Sequence, residues 1–199
     1  MKTRAELKTA AHDNLRGNWT SPVLATLLYV VFSALTEIPF VGFLISLLII
    51  VPMAYSYTLL FLDFIRGNKE NLIEKLFGFF KDYGRAFGTA FMVALYTLLW
   101  SLLLIIPGII KTYAYSMTYF ISKDHPEYSV DACIEASKKM MYGHKWELFV
   151  LQLSFIGWFL LSILTLGIGL LWVIPYYQTT LAHYYEELKA ETEAEPLQA

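Results

Sequence analysis

The chain has 199 residues, which fits one compact domain, and it is 57% hydrophobic, 17% aromatic and only 16% charged. A soluble domain carries about 25% charged residues, so much of this surface must face something other than water, and the long apolar runs point to lipid. The net charge of −2 gives no basis for a nucleic-acid partner, and the single cysteine, Cys133, excludes an internal disulfide and reads as a small apolar helix residue.

The first twenty residues are polar. Thr3-Arg4-Ala5-Glu6 is a capping box that predicts a short amphipathic helix ending near Gly17. An apolar run follows over 21–36, read as a retained span despite the signal-peptidase-like Phe32-Ser33-Ala34. The tight turn Glu37-Ile38-Pro39-Phe40 leads into a second run over 38–62. Asn71-Leu72-Ile73-Glu74 repeats the capping signal, with a helix expected to stop near Gly84. Runs 86–106 and 108–122 flank Pro107-Gly108, and Gly84 with Gly88 forms a small-residue pair suited to packing. Ser129 can cap a third amphipathic helix, with Asp131 in its first turn, Lys138 and Lys139 in its last and Gly143 as its stop. Val130, Ile134, Ser137 and Met141 share one face of it. Runs 146–165 and 167–185 flank Leu166-Gly167-Ile168-Gly169, and the acidic tail 189–199 reads as a solvated end that continues from Glu186 and Glu187.

A membrane-crossing helix takes about 20 residues. The first and fourth runs are short by that measure, and a re-entrant hairpin is the competing reading for either pair. The runs are too long and too uniformly apolar for barrel strands. The tight turns carry no Lys or Arg, whereas the other connections hold fourteen of the fifteen basic residues. Basic residues near span ends stay inside, so both termini are expected in the cytoplasm. The expected fold is all-α: six transmembrane helices arranged as three parallel helical-hairpin repeats, over about 3–63, 71–122 and 129–188. Each repeat is preceded by a cytoplasmic amphipathic helix.

The second apolar helix of each unit carries a common polar signature: Tyr55-Ser56-Tyr57-Thr58, Tyr115-Ser116-Met117-Thr118 and Tyr177-Gln178-Thr179-Thr180. Tyr55 with Thr58, Tyr115 with Thr118 and Tyr177 with Thr180 are three apart and share a helix face. Three such faces make either a polar lumen or interhelical packing, in which a threonine hydroxyl bonds its own backbone or a neighbour. Lys111 is the one basic residue outside the charged segments. It is a candidate by its position, set against snorkelling to the surface and pairing with Glu37. His183, Glu186 and Glu187 have ligand-like spacing, but no second cluster completes a metal site. Ser33, Ser46, Ser101, Ser154 and Ser162 have no His/Asp arrangement to activate them. No P-loop or His-Glu-x-x-His pair is present, so no catalytic, metal or cofactor site is assigned.

Ile106-Pro107-Gly108-Ile109-Ile110, Tyr113-Ala114-Tyr115-Ser116-Met117 and Ala136-Ser137-Lys138-Lys139-Met140-Met141-Tyr142-Gly143 resemble an uncharacterised bacterial membrane family, domain-of-unknown-function family 975. The resemblance extends over nearly the whole chain, to Trp172 and Tyr177. More distantly the chain is similar to the membrane region of glycerophosphodiester phosphodiesterases. The family implies a multi-span protein of the bacterial inner membrane and brings no established activity. The reading that follows is a non-enzymatic membrane protein with a scaffold, assembly or regulatory role. Its partners are the lipid bilayer and, through the amphipathic helices, other membrane proteins. A small transporter with a Tyr/Thr-lined path and a membrane-embedded enzyme are the alternatives. A solid core favours the first reading and a lined lumen the second.

Overall fold

The computed structural model describes residues 2–38 and 41–194. Among these the chain forms twelve α-helices and no strand. α1 (Arg4–Leu15) starts with the expected capping box, in which the Thr3 amide donates to Glu6 Oε2 at 2.7 Å. α2 (Thr20–Ala34) tightens into a 3-10 turn ending at Glu37. Pro39 and Phe40, the rest of the expected turn, lie outside the described residues. α3 (Val41–Ile45) and α4 (Val51–Ile65) form one rod joined by a π turn over Ser46–Ile50. Then come α5 (Leu72–Leu76), α6 (Tyr83–Leu103), α7 (Ile105–Ala114), α8 (Thr118–Asp124) and α9 (Val130–Met140). The chain ends with α10 (Lys145–Leu153), α11 (Ile156–Leu164) and α12 (Leu170–Ala194). Four helical stretches are long and apolar enough to cross a membrane: Thr20–Glu37, Val41–Ile65, Tyr83–Leu102 and Lys145–Leu164.

Two local expectations are corrected. Asn71 adopts the left-handed conformation (φ +53°) and its side chain caps nothing, so the second capping box does not form. The short helix it precedes stops at Leu76, and Gly84 falls in the first turn of α6, which Asp82 caps through the Arg85 amide. A 3-10 turn over Gly78–Phe80 intervenes and buries Phe79. Ser129 caps α9 as expected, through the Ala132 amide at 3.2 Å.

Each hairpin is interrupted once, and each interruption is bonded by a polar group from another segment. Pro52 has no N–H to bond the Leu48 carbonyl four residues back, and the Tyr83 hydroxyl donates to that oxygen at 2.9 Å. The fourth apolar run divides into α7 and α8 because Tyr115–Met117 leave helical hydrogen bonding. Ser137 of α9 closes the gap, donating to Ala114 O at 2.8 Å and accepting from the Met117 amide at 3.2 Å. The fifth run divides at Ser154–Phe155, and the Lys8 ammonium donates to the Ser154 carbonyl at 3.2 Å.

These interruptions separate two halves of different character. Below them lies a packed base. There Leu7 and Leu15 of α1, Leu72 and Leu76 of α5, and Cys133 of α9 contribute to the core around α4. α4 is buried over most of its surface because helices pack around it: Met53, Tyr57, Phe61 and Phe64 are all inaccessible or nearly so, while Val51, Ala54, Thr58 and Ile65 stay partly exposed. α5 packs on α2 and α4, α9 on α6 and α8, and α1 on α12 and α4. Above the interruptions stand three apolar hairpins. Their arms touch at small residues: a Cβ on Gly42 would lie 2.0 Å from Thr36 O, and one on Gly108 2.3 Å from Ser101 Oγ.

Candidate functional site

The seven polar residues singled out by the sequence occupy separate local contacts. The Tyr55 hydroxyl donates to Ser122 Oγ at 3.2 Å, and its ring packs edge-on to Tyr119. Thr58 and Thr180 donate to the carbonyls of Ala54 and Tyr176, one turn back in their own helices. Tyr115 is buried beside Tyr96 and Ile134. The Thr118 hydroxyl is buried without a hydrogen-bond partner among the described residues. The Tyr177 hydroxyl accepts from Gln152 Nε2 at 2.7 Å, and Gln152 Oε1 accepts from Tyr113 at 2.7 Å. Lys111 does not pair with Glu37; its ammonium stands 4.4 Å from the centre of the Trp100 ring, a cation–π contact. Tyr55, Tyr115 and Tyr177 each have a different set of contacts.

A concavity of about 600 Å³ lies elsewhere. It opens between the α1–α2 corner and the α11–α12 hairpin and is lined by His12, Trp19, Trp158, Leu161, Trp172 and Tyr176, among others. A smaller one of about 160 Å³ is lined by Gly17, Asn18, Thr20, Ser21, Phe64 and Lys69.

A charged junction at the base joins the ends of α4, α8 and α12, and single-residue motif reading missed it. Arg66, just past α4, makes two parallel bonds to Asp124 at the end of α8 (2.6 and 2.7 Å) and a third to Glu186 of α12 at 2.6 Å. Lys189 and the Tyr185 hydroxyl, both of α12, also donate to Asp124, at 2.8 and 3.0 Å. Beside them Lys123 pairs with Asp63 at 2.5 Å. Burial raises the Asp124 pKa, but the bonds from Arg66 and Lys189 outweigh it and hold the carboxyl well below the usual range. The same contacts push Arg66 up, against its partial desolvation. A sequence signal was available: an acid, Asp63, Asp124 or Glu186, follows each signature tyrosine by eight or nine residues.

Arg85 builds a second polar knot. From α6 it donates to the carbonyls of Ser122, His125, Pro126 and Tyr128 and so satisfies the open C-terminal end of α8. Ser122 Oγ receives the Tyr55 and Arg85 bonds and lies 3.4 Å from Thr89 Oγ1. The His183-Glu186-Glu187 group diverges: the side chains meet Asn14, Arg66 and Lys2 respectively. No group of three His, Cys, Asp or Glu side chains suited to a metal gathers among the described residues.

This is an all-helical protein with a packed polar-stitched base and apolar hairpins long enough, in four stretches, to cross a membrane. It belongs to the DUF975 family, described as protein of unknown function, whose model matches residues 1–110 and 95–192. No curated protein and no solved structure matches it.

Proposed function

We propose that the chain is a non-enzymatic protein of the bacterial cytoplasmic membrane, with both termini on the cytoplasmic side, that acts as a scaffold or regulator through its charged base. The observation that carries this reading is how the signature hydroxyls are used. Tyr55, Thr58, Tyr177 and Thr180 each bond a neighbouring helix or their own backbone, which supports the packing reading of these hydroxyls. The polar faces of the base helices remain outside: His12, Asp13 and Arg16 on and beside α1, and Asp131, Glu135 and Lys139 on α9, are exposed. The apolar faces of these helices are spent on the bundle, so a partner would be held by charge and hydrogen bonds at the base.

Three parallel repeats form the architecture of this reading. Its support is cyclic packing: α5 lies on the second helix of the first unit, α9 on that of the second, and α1 on that of the third. The test is capture of bound proteins in mild detergent, comparing the native chain with a Glu135→Lys, Lys139→Glu exchange. A membrane-protein partner held by the native chain and lost from the exchange variant is expected. Solute flux in proteoliposomes that Tyr55→Phe abolishes would overturn the reading in favour of transport.

A further inference from the structure

The concavity of about 600 Å³ beside the third hairpin falls within the range of about 300–1,000 Å³ that small-molecule sites occupy. α12 forms its floor and packs against α11 on one side and against α1 and α2 on the other. The two arms of the hairpin present matched stripes to it. Trp158, Leu161 and Thr165 follow one another at intervals of three and four on and beside α11, and Gly169, Trp172 and Tyr176 repeat that spacing on and beside α12. Trp19 and His12 complete the wall at the α1–α2 corner, so three of the five tryptophans of the chain line one groove.

The lining offers apolar surface along most of its length. Its three hydroxyls are already bonded within the chain: Ser162 donates to the Trp158 carbonyl at 2.9 Å, Thr165 to the Ser162 carbonyl at 2.8 Å, and Tyr176 to the Lys8 carbonyl at 3.2 Å. A polar ligand would find those groups taken, whereas a hydrocarbon chain needs only the methyl and ring faces that remain. At the Gly169 end the two arms touch, since a Cβ on Gly169 would lie 2.9 Å from Ser162 Oγ. At the other end the groove meets polar groups. His12 stands edge-on to Tyr176, with ring centres 6.5 Å apart, and Arg16 follows one turn later; both are exposed. Between Lys8 and Arg16 the only acid is Asp13, 3.8 Å from the imidazole, so this stretch is net positive and complements an anion.

We propose that this groove binds one anionic phospholipid, with an acyl chain along the α11–α12 hairpin and the phosphate at the mouth beside His12 and Arg16. The proposal rests on the membrane reading above. On that reading the base faces the cytoplasm, whose leaflet carries the anionic lipids. The tryptophans suit the place, because each joins a flat apolar ring to one N–H donor for the ester region of a lipid. Lipid elsewhere on the third hairpin meets exposed outward side chains such as Leu160, Ile163 and Leu164. In the groove a chain is enclosed by α11, by α12 and by the α1–α2 corner, so more of its surface is buried and it is held longer.

The experiment purifies the full chain in mild detergent, washes away loosely held lipid and counts phospholipids per chain by native mass spectrometry. A single retained phospholipid is expected on the native chain. Leu161→Gln, which sets an amide in the groove, should weaken retention about tenfold. Leu160→Gln lies on the same helix and is equally exposed (58% against 56%) but does not line the groove, and should retain the lipid. Equal retention by the two variants would overturn the proposal. A dimer that retains no lipid would mean that a second copy fills the groove, and would overturn it as well. A second measurement needs no change in the groove. Trp100→Phe, Trp146→Phe leaves only the groove tryptophans to emit, and the chain is reconstituted in phosphatidylcholine vesicles holding a minor fraction of phosphatidylglycerol brominated on its acyl chains. Stronger quenching than the same fraction of brominated phosphatidylcholine gives is expected, and equal quenching would mean chance contact with the bilayer and overturn the proposal. The difference should vanish when His12→Ala and Arg16→Gln are added, and its persistence would overturn the placing of the phosphate. Recovery of the native chain in the soluble fraction of cells would instead refute the membrane reading itself.

Discussion

Arg66 holds Asp124 through two parallel N–H···O bonds of 2.6 and 2.7 Å, tying the end of α4 to the end of α8 across 58 positions of sequence. The Asp124 side chain is only 7% exposed, and Lys189 and Tyr185 bind its second oxygen. Such bidentate pairs fix geometry as well as adding energy. Three apolar helices can slide against one another, and this junction sets where they stop.

Asp124→Asn should lower unfolding stability by about 2–3 kcal/mol, because Arg66 and Lys189 lose their shared acceptor charge while partly buried. Urea unfolding in detergent would measure it. The pH dependence has a defined sign. The folded pKa lies below the ordinary 3.8, so the contribution is complete above that value and is lost as pH falls below it. Native stability should drop steeply below about pH 4, and Asp124→Asn should blunt the drop.

His183 gives a second acid limb at milder pH. It is desolvated within the base, beside Asn14 at 3.1 Å and near Lys2, Glu186 and Glu187, and burial pushes its pKa below the ordinary 6.5. The unfolded chain then binds the proton more readily, so stability is full above the unfolded value and declines as pH falls through 6.5 toward the folded one. Melting temperatures of the native chain and His183→Gln should diverge at neutral pH and converge as the solution is acidified. Parallel curves would remove His183 from the account.

Ser137→Ala should cost about 1–3 kcal/mol although it deletes a single oxygen, since the buried Ala114 carbonyl and Met117 amide lose their partner. Hydrogen exchange should show faster exchange confined to the α7–α8 break. Ile134→Asp on the same helix should be worse, removing an apolar contact worth about 1.5–3 kcal/mol and burying a charge beside Tyr115.

Arg85→Lys keeps the charge but cannot reach four carbonyls from one planar fork. A loss of about 2 kcal/mol is expected, with proteolytic nicking appearing first in the loop after α8. Gly108→Ala tests the hairpin contact: the added methyl would lie 2.7 Å from Ser101 Cα, and overpacking of this kind costs about 1–3 kcal/mol. Gly84→Ala, with open space at its Cβ, is the control and should be neutral or slightly stabilising.

Much of the local structure was legible in the residues. The Thr3 box, the Ser129 cap and the buried face of α9 formed as their spacing predicts, because each rests on hydrogen bonds or periodicity within a few positions. Asn71 departs from its signal because the tight loop from Gly67 turns it left-handed, and a local loop geometry overrides a capping preference. The charged junction escaped because Arg66, Asp124 and Glu186 are far apart in sequence and each alone looks like a solvated helix end.

The sequence by itself determined that the chain is helical and which segments are charged, since backbone hydrogen bonding in apolar runs and clustered basic residues are properties of short stretches. It did not determine what each apolar residue faces. Phe61 and Ile106 read alike in a hydropathy window, yet Phe61 is enclosed by the base and Ile106 is bare at the tip of a hairpin. A protein core and a lipid tail reward the same side chains by the same removal from water, so composition cannot separate them. Only the tertiary structure, by packing α1, α5 and α9 against α12, α4 and α8, decided which apolar side chains are enclosed and which are left exposed.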